Sequence, residues 1–360
     1  MAEQTVLIIG GGIAGLTAAN QLAAMNISTI LVEKQGSVGG HAARYTCKAT
    51  DACVKCGACL VIQACRSVLA DPTVEVYTNS RIAAVERSGG RFRFAIEKES
   101  AAPSEDLTRE ADAVILASGF QAFDPHAKPY GYGQFPNVVT NLELEWMLRE
   151  KSIPARPSDQ RQPERMAFVQ CVGSRDRQLG HLWCSKICCA SALRMARLIK
   201  ARCPEVDITF FYIDIQTFGK DFENYLARVR EDFTLVRALP GDVFDAEDGR
   251  LRVTYFDPVQ RQGQEDLFDL LVLSVGITPD AQNLQLARLF QLEPEPTGFW
   301  PMATGAGVFC AGTARGPMSI AESIVSGKQA ALQAAGHVQN AEGAEGKTPV
   351  STVRPTQDGV

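Results

Sequence analysis

Four cysteines in the second half of the chain, Cys171, Cys184, Cys188 and Cys189, are spaced so that they could gather at one site. Residues 185–200 show the apolar spacing of a helix, which predicts that Cys184 and Cys188 lie on neighbouring turns of one face near its start. Thiolates at a helix N-terminus are stabilised by the amide dipoles and are suitable metal ligands. We predict a metal or cluster site here, because packing as small hydrophobes explains one or two buried cysteines but not four.

A second cysteine group lies nearer the N-terminus. Cys53, Cys56 and Cys59 form two consecutive C-x-x-C steps, and Cys65 follows after five residues. The steps resemble the start of a ferredoxin-type cluster loop, but that loop has its fourth cysteine after three residues, with a proline behind it. Zinc is an alternative, because thiolates bind zinc as well as the iron of a cluster, and free thiols are another. The sequence leaves this group as a possible second site.

A glycine motif near the N-terminus predicts where a dinucleotide binds. The apolar run 5–9 is typical of a buried strand, Gly10-x-Gly12-x-x-Gly15 follows it, and an Ala-rich helical pattern begins at Ile13. Gly10 permits the tight turn, Gly12 lets the backbone approach a pyrophosphate, and Gly15 allows close helix–strand packing. A second strand ends at Glu33, about 20 residues on, where a ribose-hydroxyl acceptor is expected. We therefore predict a dinucleotide site.

Three further stretches have the small residues that a nearby ligand requires. The loop 34–41 contains Gly39 and Gly40, although an ordinary turn would also explain it. The strand 112–119 ends in small residues. A strand and glycine turn over 307–316 precede a helix predicted from about Ser319, whose amide dipoles could face the carbonyl edge of a flavin.

The remaining elements predict an α/β protein with two dinucleotide-binding domains, built from parallel sheets with small antiparallel layers. Strands at 74–77, 82–86 and 92–96 are expected to form one such layer, and Gly219–Tyr225 to open a charged helix. The strand 270–276 is expected to return the chain to the first domain. The predicted division is 1–122 with 270–336 as the first domain, 123–269 as the second, and 337–360 as a disordered tail. The second domain has no G-x-G-x-x-G, which disfavours the usual mode of nicotinamide binding.

Composition limits the partners and the compartment. The chain has 360 residues and a formal net charge of −5, which gives no general reason to expect nucleic acid or anionic lipid. No apolar run approaches the roughly 20 residues that a membrane span needs. The first strand begins at Thr5, from which we expect no signal peptide, and eleven cysteines suggest metal ligands or redox thiols in a reducing cytoplasm.

Two sets of residues resemble known families. The N-terminal glycine motif, Ala117-Ser118-Gly119 and the stretch 307–312 are similar to flavoproteins of the thioredoxin reductase group. The stretch 170–176 followed by Cys184-Ser185-x-x-Cys188-Cys189 resembles the A subunit of heterodisulfide reductase, over nearly the whole chain to about Gly336. The methanogen subunits are longer, and the length here is like the short form in heterodisulfide-reductase-like complexes of sulfur-oxidising bacteria and archaea. Two-fold association is common in the flavoprotein group.

The resemblance implies FAD in the first domain and a [4Fe–4S] cluster in the second. Carried over, the cluster ligands are Cys171, Cys184, Cys188 and Cys189. The implied FAD contacts are Gly10, Gly12, Ala14, Gly15, Glu33, Lys34, Gly39, Gly40, His41, Ile82, Ala117, Ser118, Gly119, Gly312, Ser319 and Ile320.

The implied function is that of an electron-transfer flavoprotein subunit, an oxidoreductase that works with the other subunits of a heterodisulfide-reductase-like complex and forms a homodimer. Catalysis would be cofactor-borne, because the sequence shows no Ser/His/Asp set or carboxylate dyad and its four histidines are scattered. One alternative is an NAD(P)H-dependent flavin disulfide reductase. Another is a zinc-stabilised flavoprotein scaffold.

Overall fold

Two five-stranded parallel sheets and three smaller antiparallel ones form the computed structural model, which describes residues 4–98, 107–217, 222–301, 304–305 and 307–345. The strands are β1 (Thr5–Ile9), β2 (Ser28–Val32), β3 (Val74–Tyr77), β4 (Ser80–Ser88), β5 (Arg91–Lys98), β6 (Leu107–Ala111), β7 (Ala113–Leu116), β8 (Phe120–Ala122), β9 (Val138–Thr140), β10 (Arg165–Val172), β11 (Asp207–Phe211), β12 (Thr234–Val236), β13 (Pro240–Asp245), β14 (Leu251–Asp257), β15 (Gln262–Phe268), β16 (Leu270–Val275), β17 (Ile277–Pro279) and β18 (Val308–Cys310). The α-helices are α1 (Ile13–Ala23), α2 (Ala58–Ala70), α3 (Asn141–Glu150), α4 (Cys188–Arg202), α5 (Phe222–Asp232), α6 (Gln282–Phe290) and α7 (Ile320–Glu345). Single 3₁₀ turns span His41–Arg44, Pro125–Ala127, Glu247–Gly249 and Gly312–Arg315.

The first parallel sheet has the order β18-β7-β1-β2-β3 and carries the glycine motif. Helices α1, α2 and α7 pack on one face, and the antiparallel sheet β4-β5-β6 with α6 packs on the other. Strands buried on both faces explain why β1 reads as an unbroken apolar run. Helices α1 and α7 approach so closely that an added Cβ at Gly327 would clash with the Ala14 carbonyl oxygen.

The second parallel sheet, β12-β11-β10-β16-β9, is constructed in the same way. Helices α3, α4 and α5 cover one face, and the antiparallel sheet β13-β14-β15 covers the other. The antiparallel pair of β8 and β17 stands where the chain passes between the two parallel sheets. Among the described helices, none has both the length and the apolar character that crossing a bilayer requires.

Two strand predictions are wrong. Strand β3 is parallel to β2 in the first sheet, with Thr29 opposite Val74, and is not part of the antiparallel layer. The intervening helix α2 makes the connection a crossover, which returns the chain parallel to β2. Strand β16 lies between β10 and β9 in the second sheet, so residues 270–275 do not yet belong to the first domain. All six β16 residues are buried, as a central strand requires.

The predicted start of the cysteine helix is also wrong. Helix α4 begins at Cys188, so Cys184 lies in the preceding loop instead of on the helix face. The Ser185 hydroxyl accepts a hydrogen bond from the Ile277 N–H at 2.8 Å, which fixes the loop to β17. Lys186 has a φ of +66°, a left-handed conformation that a helix cannot include.

The C-terminal prediction needs a correction as well. Helix α7 continues to Glu345, whereas the sequence predicts a disordered tail from His337. Val338 is only 3% exposed and packs with Ala334 and Ala335 in the core, which explains why the helix extends beyond Gly336. Residues 346–360, and residues 219–221 at the start of the predicted charged helix, lie outside the described residues.

Candidate functional site

A cavity of about 930 Å³ opens at the carboxyl end of the first sheet and extends to the start of α4 in the second. Its volume suits a large organic cofactor. The predicted cofactor contacts that line it are Gly10, Gly12, Ala14, Glu33, Lys34, Gly39, Gly40, His41, Ala117, Ser118, Gly119, Ser319 and Ile320. Cys188, one of the four cysteines in the second half of the chain, lines the same cavity.

The glycine turn brings bare backbone to the cavity wall. Gly10 has a φ of +107°, and a Cβ there would collide with the Ala117 carbonyl oxygen, so this position accepts glycine alone. At Gly12 an added Cβ would meet nothing within 4 Å, because this residue faces the open cavity. Helix α1 starts at the next residue, Ile13, so its first N–H groups lie beside the same space. The turn therefore fits a pyrophosphate.

Glu33 is fixed at the end of β2 by two backbone donors. The Gly11 N–H donates to its Oε2 at 2.6 Å and the Gln35 N–H donates to its Oε1 at 2.8 Å, and the residue is 6% exposed. The next residue, Lys34, forms an ion pair with Asp280 at 2.7 Å. These contacts hold an acidic side chain at the cavity wall, where the sequence predicts a ribose contact.

Three predicted cofactor residues lie behind the wall. Gly15 packs against the Gly10 carbonyl, where a Cβ would not fit. Ile82 is 1% exposed in the core beneath the first sheet. Gly312 has a φ of +67° and donates its N–H to the Ser326 hydroxyl at 3.0 Å. In this structure they support the residues that face the cavity.

The N-terminus of α7 faces the cavity with a closed cap. The Ser319 hydroxyl accepts from the Glu322 N–H at 3.2 Å, and the Glu322 carboxylate accepts from the Ser319 N–H at 2.9 Å. The other carboxylate oxygen of Glu322 pairs with Lys186, and this contact holds the pKa of Glu322 below its ordinary value. The cap thus connects the first domain to residues 184–187, the loop before α4 that contains Cys184 and is called the cysteine loop below.

His41 lies between the glycine loop and β8. Its ring stacks on Phe120 with centroids 4.3 Å apart, and its Nε2 is 3.1 Å from the Phe120 carbonyl oxygen. Burial lowers the pKa of the imidazole, and Arg44 and Lys34 act in the same direction. The carbonyl oxygen and Asp280 act in the opposite direction. The neutral ring is therefore favoured at the cavity wall.

The structure brings Cys171, Cys184, Cys188 and Cys189 into electrostatic range of one another. Cys171 is the penultimate residue of β10, Cys184 lies in the loop, and Cys188 and Cys189 begin α4. Burial raises the pKa of Cys188, and the charges of the other three thiolates raise it further. The same two effects, with Arg175 opposing them, raise the pKa of Cys171 to about 11.

The donor chemistry of this group fits a cation, but its geometry is not that of a closed ligand set. If all four ionised, the neighbouring thiolates would repel one another, and a bound metal ion or cluster would relieve that repulsion. Within the described ranges, no three His, Cys, Asp or Glu side chains are arranged to hold a metal ion. The Cys184 Sγ accepts the Lys186 N–H at 3.2 Å, and Arg175 pairs with Asp214 beside Cys189.

The N-terminal cysteines are distributed differently. Cys59 and Cys65 lie on α2, while Cys53 and Cys56 precede it. Cys65 packs among apolar side chains, and burial raises its pKa. Cys53 and Cys59 are exposed, whereas Cys56 lines the cavity. A second cluster at this group stays a prediction.

Sequence reasoning missed a buried ion pair in the cavity wall. Lys48 and Glu145 are 2.5 Å apart with side chains 4% and 3% exposed, and the Glu145 carboxylate also accepts the Thr46 N–H at 3.1 Å. Burial and the Glu145 charge raise the pKa of neighbouring Tyr45. One signal was available, because Glu145 falls on the apolar face of α3 between Leu144 and Leu148.

The Phe123 ring packs against the turn that follows β10. Gly173 has a φ of +79°, and a Cβ there would fall inside the Phe123 ring. In a nicotinamide-binding domain the corresponding turn holds phosphate. The packing of Phe123 here agrees with the absence of a second glycine motif from the sequence.

Comparison with solved structures defines the class of fold. The chain superposes on thioredoxin reductase from Lactococcus lactis with a TM-score of 0.62 and 18% identity, covering 94% of this chain and 99% of that one. The T. acidophilum thioredoxin reductase gives the same TM-score at 16% identity, with the same two coverages. Residues 4–157 match the family model described as pyridine nucleotide-disulphide oxidoreductase. The predicted thioredoxin-reductase-like fold is confirmed.

Within that class the chain resembles the A subunit of heterodisulfide reductase. It is 30% identical to the A subunit of the ferredoxin/F420H2-dependent CoB-CoM heterodisulfide reductase of Methanosarcina acetivorans, over 92% of this chain and 52% of that protein. It is 31% identical to the iron-sulfur A subunit of the CoB–CoM heterodisulfide reductase of Methanocaldococcus jannaschii, over 91% of this chain and 63% of that protein. The predicted resemblance is confirmed, and the chain spans about half to two thirds of these relatives.

Proposed function

We propose that this chain is an FAD- and [4Fe–4S]-containing electron-transfer subunit of a heterodisulfide-reductase-like complex. One observation carries the proposal. A single cavity extends from Gly10 and Gly12 in the first sheet to Cys188 at the start of α4. A cofactor in that cavity would lie beside the thiol group, as electron transfer between two centres requires. The name of the Methanocaldococcus relative, which describes an iron-sulfur protein, supports the same conclusion.

Different residues of the cavity wall would bind different parts of FAD. The glycine turn and the start of α1 would hold the pyrophosphate. The Glu33 carboxylate would accept a hydrogen bond from the ribose hydroxyl, and the capped N-terminus of α7 would face the isoalloxazine. When bound, FAD supplies two-electron chemistry and the cluster one-electron chemistry. The protein supplies position, exclusion of water and charge. His41, held neutral, adds an uncharged ring to the wall.

Cys171, Cys184, Cys188 and Cys189 are the proposed cluster ligands. The closeness of the four side chains, which raises the pKa of Cys188, supports this assignment, and so does the position of Cys188 and Cys189 at the N-terminus of α4. From the family resemblance, we also propose that the chain acts in sulfur-compound oxidation in the cytoplasm, as a homodimer with other subunits of the complex.

A cysteine substitution tests the assignment. Cys188→Ser in anaerobically purified protein should remove most of the iron and acid-labile sulfide and leave most of the FAD, because Gly10 and Gly12 are unchanged. Cys203→Ser, at the other end of α4, is the matched control, since Cys203 lies in the core of the second sheet. Iron retained at the wild-type level in Cys188→Ser would contradict the ligand assignment.

A disulfide reductase driven by NAD(P)H is the alternative that the family description favours. The packing of Phe123 against Gly173 argues against NAD(P)H binding, because the ring occupies the position beside the turn where a phosphate would lie. Anaerobic addition of NADPH distinguishes the two functions. Rapid bleaching of the flavin absorbance would support the reductase, and unchanged absorbance is expected here.

A further inference from the structure

One carboxylate, that of Glu322, contacts both candidate sites. Its Oε2 closes the N-terminus of α7 by accepting from the Ser319 N–H and the Ser319 hydroxyl, each at 2.9 Å. Its Oε1 pairs with Nζ of Lys186 in the cysteine loop. Glu322, Ser319 and Lys186 all line the cavity.

Lys186 also contacts a cysteine directly, through its backbone. Its backbone N–H donates to the Cys184 Sγ at 3.2 Å, and its φ of +66° is a conformation that non-glycine residues rarely adopt. Such a conformation persists where surrounding contacts hold it. On one side, Ser185 is tied to β17 through the Ile277 N–H, and on the other, the Lys186 side chain is tied to Glu322.

We propose that Glu322 is a positioning residue shared by the two sites, which holds the cysteine loop in register with the cofactor-facing end of α7. The proposal rests on the proposed function, because it concerns how the FAD site and the thiol site are kept together. A ligand that orders the N-terminus of α7 would then also order Cys184, through Glu322 and Lys186. Among the described cysteines, only Cys56 and Cys188 contribute to the cavity wall, so a ligand would not cover Cys184 directly.

The first test measures alkylation of Cys184 by iodoacetamide in the FAD-free and metal-free full chain, with mass spectrometry of the peptide. Glu322→Gln keeps an oxygen for the Ser319 cap but loses the charge that holds Lys186. We expect Cys184 to react about two- to fivefold faster, the range that a partly exposed ion pair supports. Glu97→Gln breaks the surface ion pair with Arg81 and is the matched control, with no change expected.

Lys186 variants separate loop position from charge. Lys186→Met should also speed alkylation if the loop is released, whereas a purely electrostatic effect would slow it, because loss of a nearby cation disfavours the thiolate. Lys186→Arg keeps the ion pair and should restore the wild-type rate. A faster rate in Glu322→Gln together with a slower rate in Lys186→Met would overturn the proposal.

The second test adds FAD to the same proteins. At FAD concentrations that titration shows to saturate each protein, alkylation of Cys184 should slow at least about twofold in the wild type and not in Glu322→Gln. Equal protection in both proteins would refute the role of Glu322. A wild type that binds no FAD would instead refute the proposed function, while the first test would still decide whether Glu322 positions the loop.

Discussion

At the scale of single residues, two glycines of the same motif do different work. Gly10 is required by the fold, because its φ of +107° and the nearby Ala117 carbonyl leave no space for a side chain. Gly12 has an ordinary φ of −72° and an open space beside it, so the fold would accept a side chain there. Only a ligand in the cavity gives a reason for glycine at that position.

Paired alanine variants test this difference. Gly10→Ala should lower the free energy of unfolding by about 3 kcal/mol, because it combines overpacking with a strained backbone. Gly12→Ala should change it by less than about 1 kcal/mol, yet weaken FAD binding by at least about tenfold. Denaturant unfolding and FAD titration of the apoprotein provide the two measurements. Unaltered FAD affinity in Gly12→Ala would place the pyrophosphate elsewhere.

His41 predicts a pH dependence whose sign follows from its burial. Its pKa in the folded chain is lowered from 6.5, so the unfolded chain takes up a proton first as the pH falls. Stability from this residue is therefore complete above pH 6.5 and declines below it, towards the folded-state pKa. Denaturant unfolding between pH 8 and pH 5 should show a smaller loss for His41→Gln than for the wild type. Parallel curves for the two proteins would show that His41 is not the source.

At the scale of elements, the sequence predicted those whose signals are local. The apolar run of β1 and the glycine turn before α1 each have a physical signature within a few residues. The start of α4 was not predictable in this way, because the Ile277 N–H that holds Ser185 comes from a distant strand. Strand β16 was assigned to the wrong sheet, since an apolar run indicates burial without indicating its neighbours.

One prediction tests whether the end of α7, from His337 onwards, is a packed helix or a disordered tail. Val338 is 3% exposed, while Gln339 beside it is exposed. Val338→Asp should lower the free energy of unfolding by about 3 kcal/mol or more, because it buries a charge without a partner. Gln339→Asp is the matched control and should stay within about 0.5 kcal/mol. Equal stability of both variants in thermal or denaturant unfolding would restore the predicted disordered tail.

At the scale of the whole molecule, the important feature is that separate segments form one cavity. The glycine turn, the loop 34–41, the end of β7, the start of α7 and the start of α4 all contribute to its wall. The sequence predicted most of these segments one by one, from their small residues and from the family resemblance. It did not indicate that Lys186 would reach Glu322, or that Lys48 would pair with Glu145, because both contacts depend on how distant segments pack together.

Electron paramagnetic resonance of the reduced, anaerobically purified protein, with iron, sulfide and flavin counted per chain, tests the central claim most directly. The proposed function predicts one FAD, about four irons with matching sulfide, and the signal of one reduced cubane cluster. About eight irons would add a second cluster at Cys53–Cys65 and leave the claim intact. A colourless protein, or one with zinc and no sulfide, would contradict it.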